Sequence, residues 1–183
     1  MRDRIRKIAF ETRLYRRDSR IHCRVVPAAC GVRLLLKVDY EIINQSLERQ
    51  SCDVGWIFEE ADSPSECQVT AYIGDERPSV KTPTFETADG LRRAQQKFTI
   101  EPKSHGIRYR FTTQCSCRAP SDWYHQIYFG LPSIDTTVEI EGPEGWDLWV
   151  GGGKQSRESL WHDNGLKMTG EKVSVHWRSP RAS

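Results

Sequence analysis

The sequence predicts an all-β protein, an antiparallel two-sheet sandwich of about 8–10 strands, on three observations. A long run from Val32 to Ile42 alternates in hydrophobicity with period two, three further runs do the same, and Gly, Pro, Asn and Asp cluster between the runs at short intervals. Amphipathic helical periods, which parallel strand–helix–strand units require as crossovers, are scarce.

At the N-terminus, Ile5, Ile8, Thr12 and Tyr15 fall at helical spacing, whereas Ile8, Phe10, Thr12 and Leu14 alternate. The reading favours a first strand preceded by a charged arm over residues 1–7, with a short N-terminal helix as the alternative. Ile21 to Val26 is a further strand candidate. From Val32 to Ile42 the even positions are apolar or aromatic and the odd ones, Leu35 apart, are charged, so one face packs and the other is wet. The charges on that wet face, Arg33, Lys37, Asp39 and Glu41, balance in sign, which reads as a solvated exterior and gives this strand a scaffold role. Asn44-Gln45-Ser46 matches a glycosylation acceptor but is read as a turn that ends the strand.

Val54–Phe58, Cys67–Ile73 and Gln96–Ile100 are strand candidates, while residues 78–93 have no period and two prolines and read as an irregular loop. Ile107 to Cys115 alternates again, and Tyr124–Leu131 could pair with it as a hairpin. In the next run Ile134, Thr136, Val138 and Ile140 oppose Asp135, Thr137, Glu139 and Glu141. Trp146–Val150 and Leu160–His162 follow, with Asp163-Asn164-Gly165 expected as a tight hairpin turn, and Val173, Val175 and Trp177 close the series. Strands and turns at this density suggest an immunoglobulin-like or related sandwich, one domain over residues 1–183.

Composition excludes several classes. With 37% hydrophobic residues, 28% charged residues and six tryptophans in 183, the chain has the makings of a core and is not a disordered polymer. A net charge of +2 and a pI near 8.2 do not support nucleic-acid binding. No apolar run approaches the roughly 18–20 residues of a membrane-spanning helix, and the charged start is not followed by an apolar signal core, so neither a membrane span nor export is expected. The six cysteines, Cys23, Cys30, Cys52, Cys67, Cys115 and Cys117, are therefore read as thiols of a reducing compartment, mostly buried. Cys115 and Cys117, two residues apart on a strand, could join His22, Cys23 or Cys30 around zinc, but the spacing lacks the paired turns of structural zinc sites, so no metal is expected.

Catalytic signatures are equally thin. Ser121, Asp122 and His125, or Ser159, His162 and Asp163, bring suitable groups together, yet they lie too close in sequence to resemble triads that converge from distant segments. The acidic groups Glu59-Glu60, Glu139 with Glu141, and Glu144 fit solvated faces. Gly151-Gly152-Gly153-Lys154 lacks the spaced glycines and the following helix of a phosphate loop. Cations and aromatics are the stronger signal. Arg108 and Arg110 share the polar face of their strand, His105 precedes them, Trp123-Tyr124-His125 opens the next, and Trp149 takes the opposite face from Trp146. Guanidinium groups suit phosphate or carboxylate, and exposed rings suit stacking.

The expectation is a non-enzymatic binding or sensor module of a larger bacterial, intracellular system, cytoplasmic and without cofactor. Its site would be Arg108, Arg110, His105, Trp123, Tyr124, His125 and Trp149, recognising a small anion such as a nucleotide, or a protein partner. Homo-oligomerisation is compatible with the sequence. A hydrolase using His125 or His162 and a structural assembly subunit are the alternatives.

Overall fold

The computed structural model describes residues 13–28, 31–59, 68–74, 79–81, 86–88, 91–102, 106–117, 122–151 and 158–180. These contain thirteen strands and no helix: β1 (Leu14–Ala28), β2 (Gly31–Asn44), β3 (Gln50–Glu59), β4 (Gln68–Ile73), β5 (Ser79–Lys81), β6 (Glu86–Ala88), β7 (Leu91–Ile100), β8 (Ile107–Cys117), β9 (Asp122–Tyr128), β10 (Ser133–Glu141), β11 (Asp147–Gly151), β12 (Leu160–Lys167) and β13 (Lys172–Arg178). A seven-stranded sheet runs in the order β12-β10-β1-β2-β8-β4-β5, and two three-stranded sheets run β11-β13-β9 and β3-β7-β6.

The all-β, mostly antiparallel, sandwich-like architecture is as the alternation predicts. Three details differ. Thirteen strands replace eight to ten, the smaller layer is divided into two sheets, and β1 pairs with β10 in parallel. Within 78–93, where the sequence reads as a loop, the described residues are extended. β5 lies between Pro78 and Pro83 and the β6–β7 hairpin after Pro83, and strands of three residues are too short to show a period. The stretch Ile107–Cys115 does not pair with Tyr124–Leu131. Instead β8 lies between β2 and β4, and β9 is hydrogen-bonded to β13. The N-terminal arm or helix lies outside the described residues.

Period-two alternation explains the core. On β2, Val32, Leu34, Val38, Tyr40 and Ile42 are buried, as are Cys23 and Val25 of β1, Tyr109 of β8, Val69 and Ala71 of β4, and Val138 and Ile140 of β10. The small sheets contribute Cys52, Val54, Ala94 and Ile100 from one, and Ile127, Val150, Val173, Val175 and Trp177 from the other, and all of these form one apolar cluster. Phe98 stacks on Tyr109 at 5.2 Å between ring centroids, and the Tyr109 hydroxyl donates to Gln96 Oε1 at 2.9 Å, so the sheets are joined by a ring contact and a buried hydrogen bond.

Asn44, read from sequence as a turn residue, is the last residue of β2 and is 1% exposed. Its amide donates to the carbonyls of Glu48 (2.8 Å), Ile100 (3.0 Å) and Glu101 (3.2 Å), while its Oδ1 accepts from the backbone and hydroxyl of Ser46. One side chain thus ties the end of β2 to the end of β7, and its buried amide is in no position to carry a glycan.

A shared break in the alternation crosses three strands. On β1 the buried positions change phase between Leu14 and Ser19, with Asp18 at φ 50°; on β10 they change between Ser133 and Thr136, with Asp135 at φ 57°. Both are aspartates, which tolerate the left-handed region better than most side chains. On β12, Asn164 and Gly165 are the two residues set against Asp135, and the Gly165 N–H donates to Asp163 Oδ1 at 2.7 Å. The segment predicted as a hairpin turn is therefore a bulge inside a continuous strand, since Asn-Gly serves either geometry. The same break turns Ile134, which the alternation places inward, to 38% exposure.

Two outcomes are expected from equilibrium urea unfolding. Asn44→Ala loses about 2 kcal/mol, because the buried hydrogen bond to the Ile100 carbonyl and its two part-buried neighbours are lost together. Asp135→Val loses about 1–3 kcal/mol whereas Asp135→Gly loses little, because only the β-branched residue is strained at positive φ; equal losses would show that φ is not the controlling factor.

Candidate functional site

The face of the large sheet away from the core is a lattice of polar side chains whose rows follow from strand register. One row pairs Arg17 with Glu41 and Glu41 with Arg108; the next runs Arg20, Asp39, Arg110 and Tyr72; a third runs His22, Lys37, Thr112 and Thr70. Arg17 is hydrogen-bonded to Glu41, and Arg108 reaches diagonally to Asp39. These carboxylates push the already high pKa of each guanidinium further up, through the hydrogen bond first and charge second. Glu141 takes Arg24 at 3.2 Å and His22 at 3.4 Å.

The second and third rows border an open-sided cavity of about 460 Å³, lined by Arg20, His22, Lys37, Val38, Asp39, Tyr72, Arg110, Phe111 and Thr112. Its charges do not cancel. Among the described residues Asp39 is the sole carboxylate of the lining, held by Arg108, and Arg20 and Lys37 make no ion pair. Arg110 donates a 3.4 Å hydrogen bond to the Gly74 carbonyl, and its Nε is buried without a hydrogen-bond partner. A buried guanidinium N–H without a partner is costly.

The predicted site residues are divided between two sheets. Arg110 lines the cavity, and Arg108 borders it through Asp39. Tyr124 and Trp149 lie on the β11-β13-β9 sheet, in one cross-strand row with His176, a residue that the sequence reading did not select. There His176 stacks on Trp149 at 4.9 Å and 6°, Tyr124 is 5.6 Å from His176, Arg178 is 5.9 Å from the Trp149 ring, and Ser174 Oγ lies 2.8 Å from His176 Nε2. Tyr124 is 45% exposed. Trp123 and His125 flank Tyr124 on β9, in register with Trp177 and Val175. His125 is half-buried, and loss of hydration lowers its pKa; the same cause lowers that of His176. His105 lies outside the described residues.

The groups considered for catalysis are arranged as follows. His162 lies on the exposed face, with Thr137 Oγ1 at 2.9 Å, Asp135 at 3.5 Å and a contact to Asn164. Asp163, the next residue, pairs instead with Lys167 at 2.6 Å, which holds its carboxyl below the usual range. Cys23 and Cys52 are buried, and burial pushes the Cys52 thiol up to about 11, leaving it protonated at neutral pH. Cys30 lies outside the described residues.

Five cavity residues, Arg20, His22, Lys37, Asp39 and Tyr72, were not selected from sequence. The polar parity of Lys37 and Asp39 is legible, but their juxtaposition depends on register. Arg20 is hidden by the Asp18 bulge, and the available signal is that Leu14 and Ile21, both apolar, are seven residues apart and cannot share a face in an unbroken strand.

No protein family profile matches the chain, and no curated protein matches it by sequence. Among solved structures it is similar to a provisionally assigned nutrient binding protein from Legionella pneumophila, with 7% identity and a TM-score of 0.51, over 91% of this chain and 67% of that one. It also aligns to a provisionally assigned protease from Parabacteroides distasonis (11% identity, TM-score 0.43) and to a variant of an M1 zinc metallopeptidase from Deinococcus radiodurans (12% identity, TM-score 0.44). It covers 94% and 90% of itself in these two, and spans 37% and 42% of their lengths. The likeness to the Legionella protein is one of fold.

The partly desolvated His125 generates a pH prediction. Its folded pKa lies below the unfolded value of about 6.5, so below that pH the unfolded chain takes up a proton that the folded chain does not. Stability is therefore full above about pH 6.5 and falls as the pH drops, by at most about 1.4 kcal/mol per pH unit from this residue. In urea titrations between pH 7 and 5, His125→Gln should flatten that slope; an unchanged slope would assign the dependence elsewhere.

Proposed function

We propose that this protein is a non-enzymatic binding module that takes a small anion in the cavity between β1, β2, β8 and β4. The observation that carries the reading is the excess of cations there: among the described residues Arg20, Lys37 and Arg110 line the cavity, and the one carboxylate beside them, Asp39, is engaged by Arg108. An anion gains charge-assisted hydrogen bonds from two forked guanidinium groups and a lysine, on strands whose positions are fixed by continuous ladders. Such a site needs no metal and no cofactor. An immunoglobulin-like relationship, a cytoplasmic setting and a place in a larger bacterial system belong to the same reading and rest on the sequence alone. The hydrolase alternative gains little, because Asp163 is turned to Lys167 and, among the described residues, no nucleophile apart from Thr137 is hydrogen-bonded to His162.

Isothermal titration with inorganic pyrophosphate tests it. The protein should bind, more weakly as salt rises, and the Lys37→Gln/Arg110→Gln double variant should lose about tenfold or more in affinity. Equal affinity in the two proteins would remove the cavity from the argument.

A further inference from the structure

The cavity is larger than an inorganic anion needs and differs along its length. Its volume, about 460 Å³, falls in the range of organic ligand sites. The row Arg20–Asp39–Arg110–Tyr72 crosses four neighbouring strands, three spacings of about 4.8 Å, so its ends are roughly 14 Å apart. One end, Arg20 with Lys37 on the adjoining row, is cationic. The other end carries two flat groups in register, the Arg110 guanidinium and the Tyr72 ring. Between them stands Asp39, one of whose oxygens is held by Arg108 while the other can accept hydrogen bonds.

Resting on the anion reading above, we infer that the ligand is a nucleoside monophosphate lying along this row. Its phosphate meets Arg20 and Lys37, its ribose hydroxyls donate to Asp39, and its base sits against Tyr72 and Arg110. Each assignment follows from the chemistry of the position. A phosphoryl group takes the cationic end. Vicinal hydroxyls can donate to the carboxylate oxygen that Arg108 leaves free. A purine or pyrimidine ring stacks on tyrosine and guanidinium faces. A bare polyanion would leave the Tyr72 end unused.

Titration with AMP, adenosine and inorganic pyrophosphate separates this inference from the reading beneath it. AMP should bind at least tenfold more tightly than adenosine. Tyr72→Ala should weaken AMP about tenfold, the size of one stacking contact, and leave pyrophosphate unchanged, while Tyr72→Phe keeps AMP affinity. Thermal unfolding of each variant without ligand confirms that it is folded. If pyrophosphate binds through Lys37 and Arg110 but AMP is indifferent to Tyr72→Ala, the nucleotide is wrong and the anion site stands. If neither AMP nor pyrophosphate responds to Lys37→Gln/Arg110→Gln, both fall.

Discussion

Successive side chains of an extended chain point to opposite sides of a sheet, and in this protein the fourteen residues of β2 carry that constraint for the whole molecule. β2 is the central strand of seven, with β1 on one side and β8 on the other. Its even positions from Val32 to Ile42 supply the middle of the core, and its odd positions supply Lys37 and Asp39 to the cavity. A slip of one residue would exchange the two sets, burying charge and exposing Leu34, Val38 and Tyr40. Core and candidate site are thus specified together. The Asn44 side chain, bonded to the carbonyls of Ile100 and Glu101, fixes where β2 ends against the facing sheet.

The second constraint is the phase change at Asp18, Asp135 and Asn164-Gly165. Without it Arg17 and Arg20, three residues apart, would point to opposite faces, and one of them would enter the core. With one extra residue in β1 against β2, Arg17 reaches Glu41 and Arg20 stands opposite Asp39. The inward position falls to Ser19, which is small and 3% exposed. The neighbouring strands change phase at the same level, so the ladder is interrupted once instead of drifting out of register along its length.

The core strands were legible because they are long and half-buried: β2, β8, β10 and β13 each show the period, and each lies where it was expected. What escaped was set by partners distant in sequence. Nothing in Tyr124–Leu131 tells it to pair with β13 instead of β8. The parallel β1–β10 pair joins segments more than a hundred residues apart, and a three-residue edge strand such as β5 has no period to read. The site followed the same rule. Arg110 and Tyr124 were chosen on chemistry, but the sequence could not place them on different sheets, nor set His176 beside Trp149. The polar face of β2 read as plain exterior because its signs balance along the strand, while charge is distributed across strands in the fold.

That distribution accounts for a carboxylate in a cation-lined cavity. Arg20, Lys37 and Arg110 would repel one another across β2 if nothing stood between them, at an energy that grows as water is excluded. Asp39, in register between Arg20 and Arg110, screens that repulsion, and Arg108 draws its carboxylate toward the Glu41 row, away from Lys37. The pair therefore holds the cations close together without cancelling them. Glu41 in turn is occupied by Arg17, so it does not compete for Arg108 on equal terms. The chain of alternating charges, Arg17, Glu41, Arg108 and Asp39, ends at the cavity with its last carboxylate already engaged.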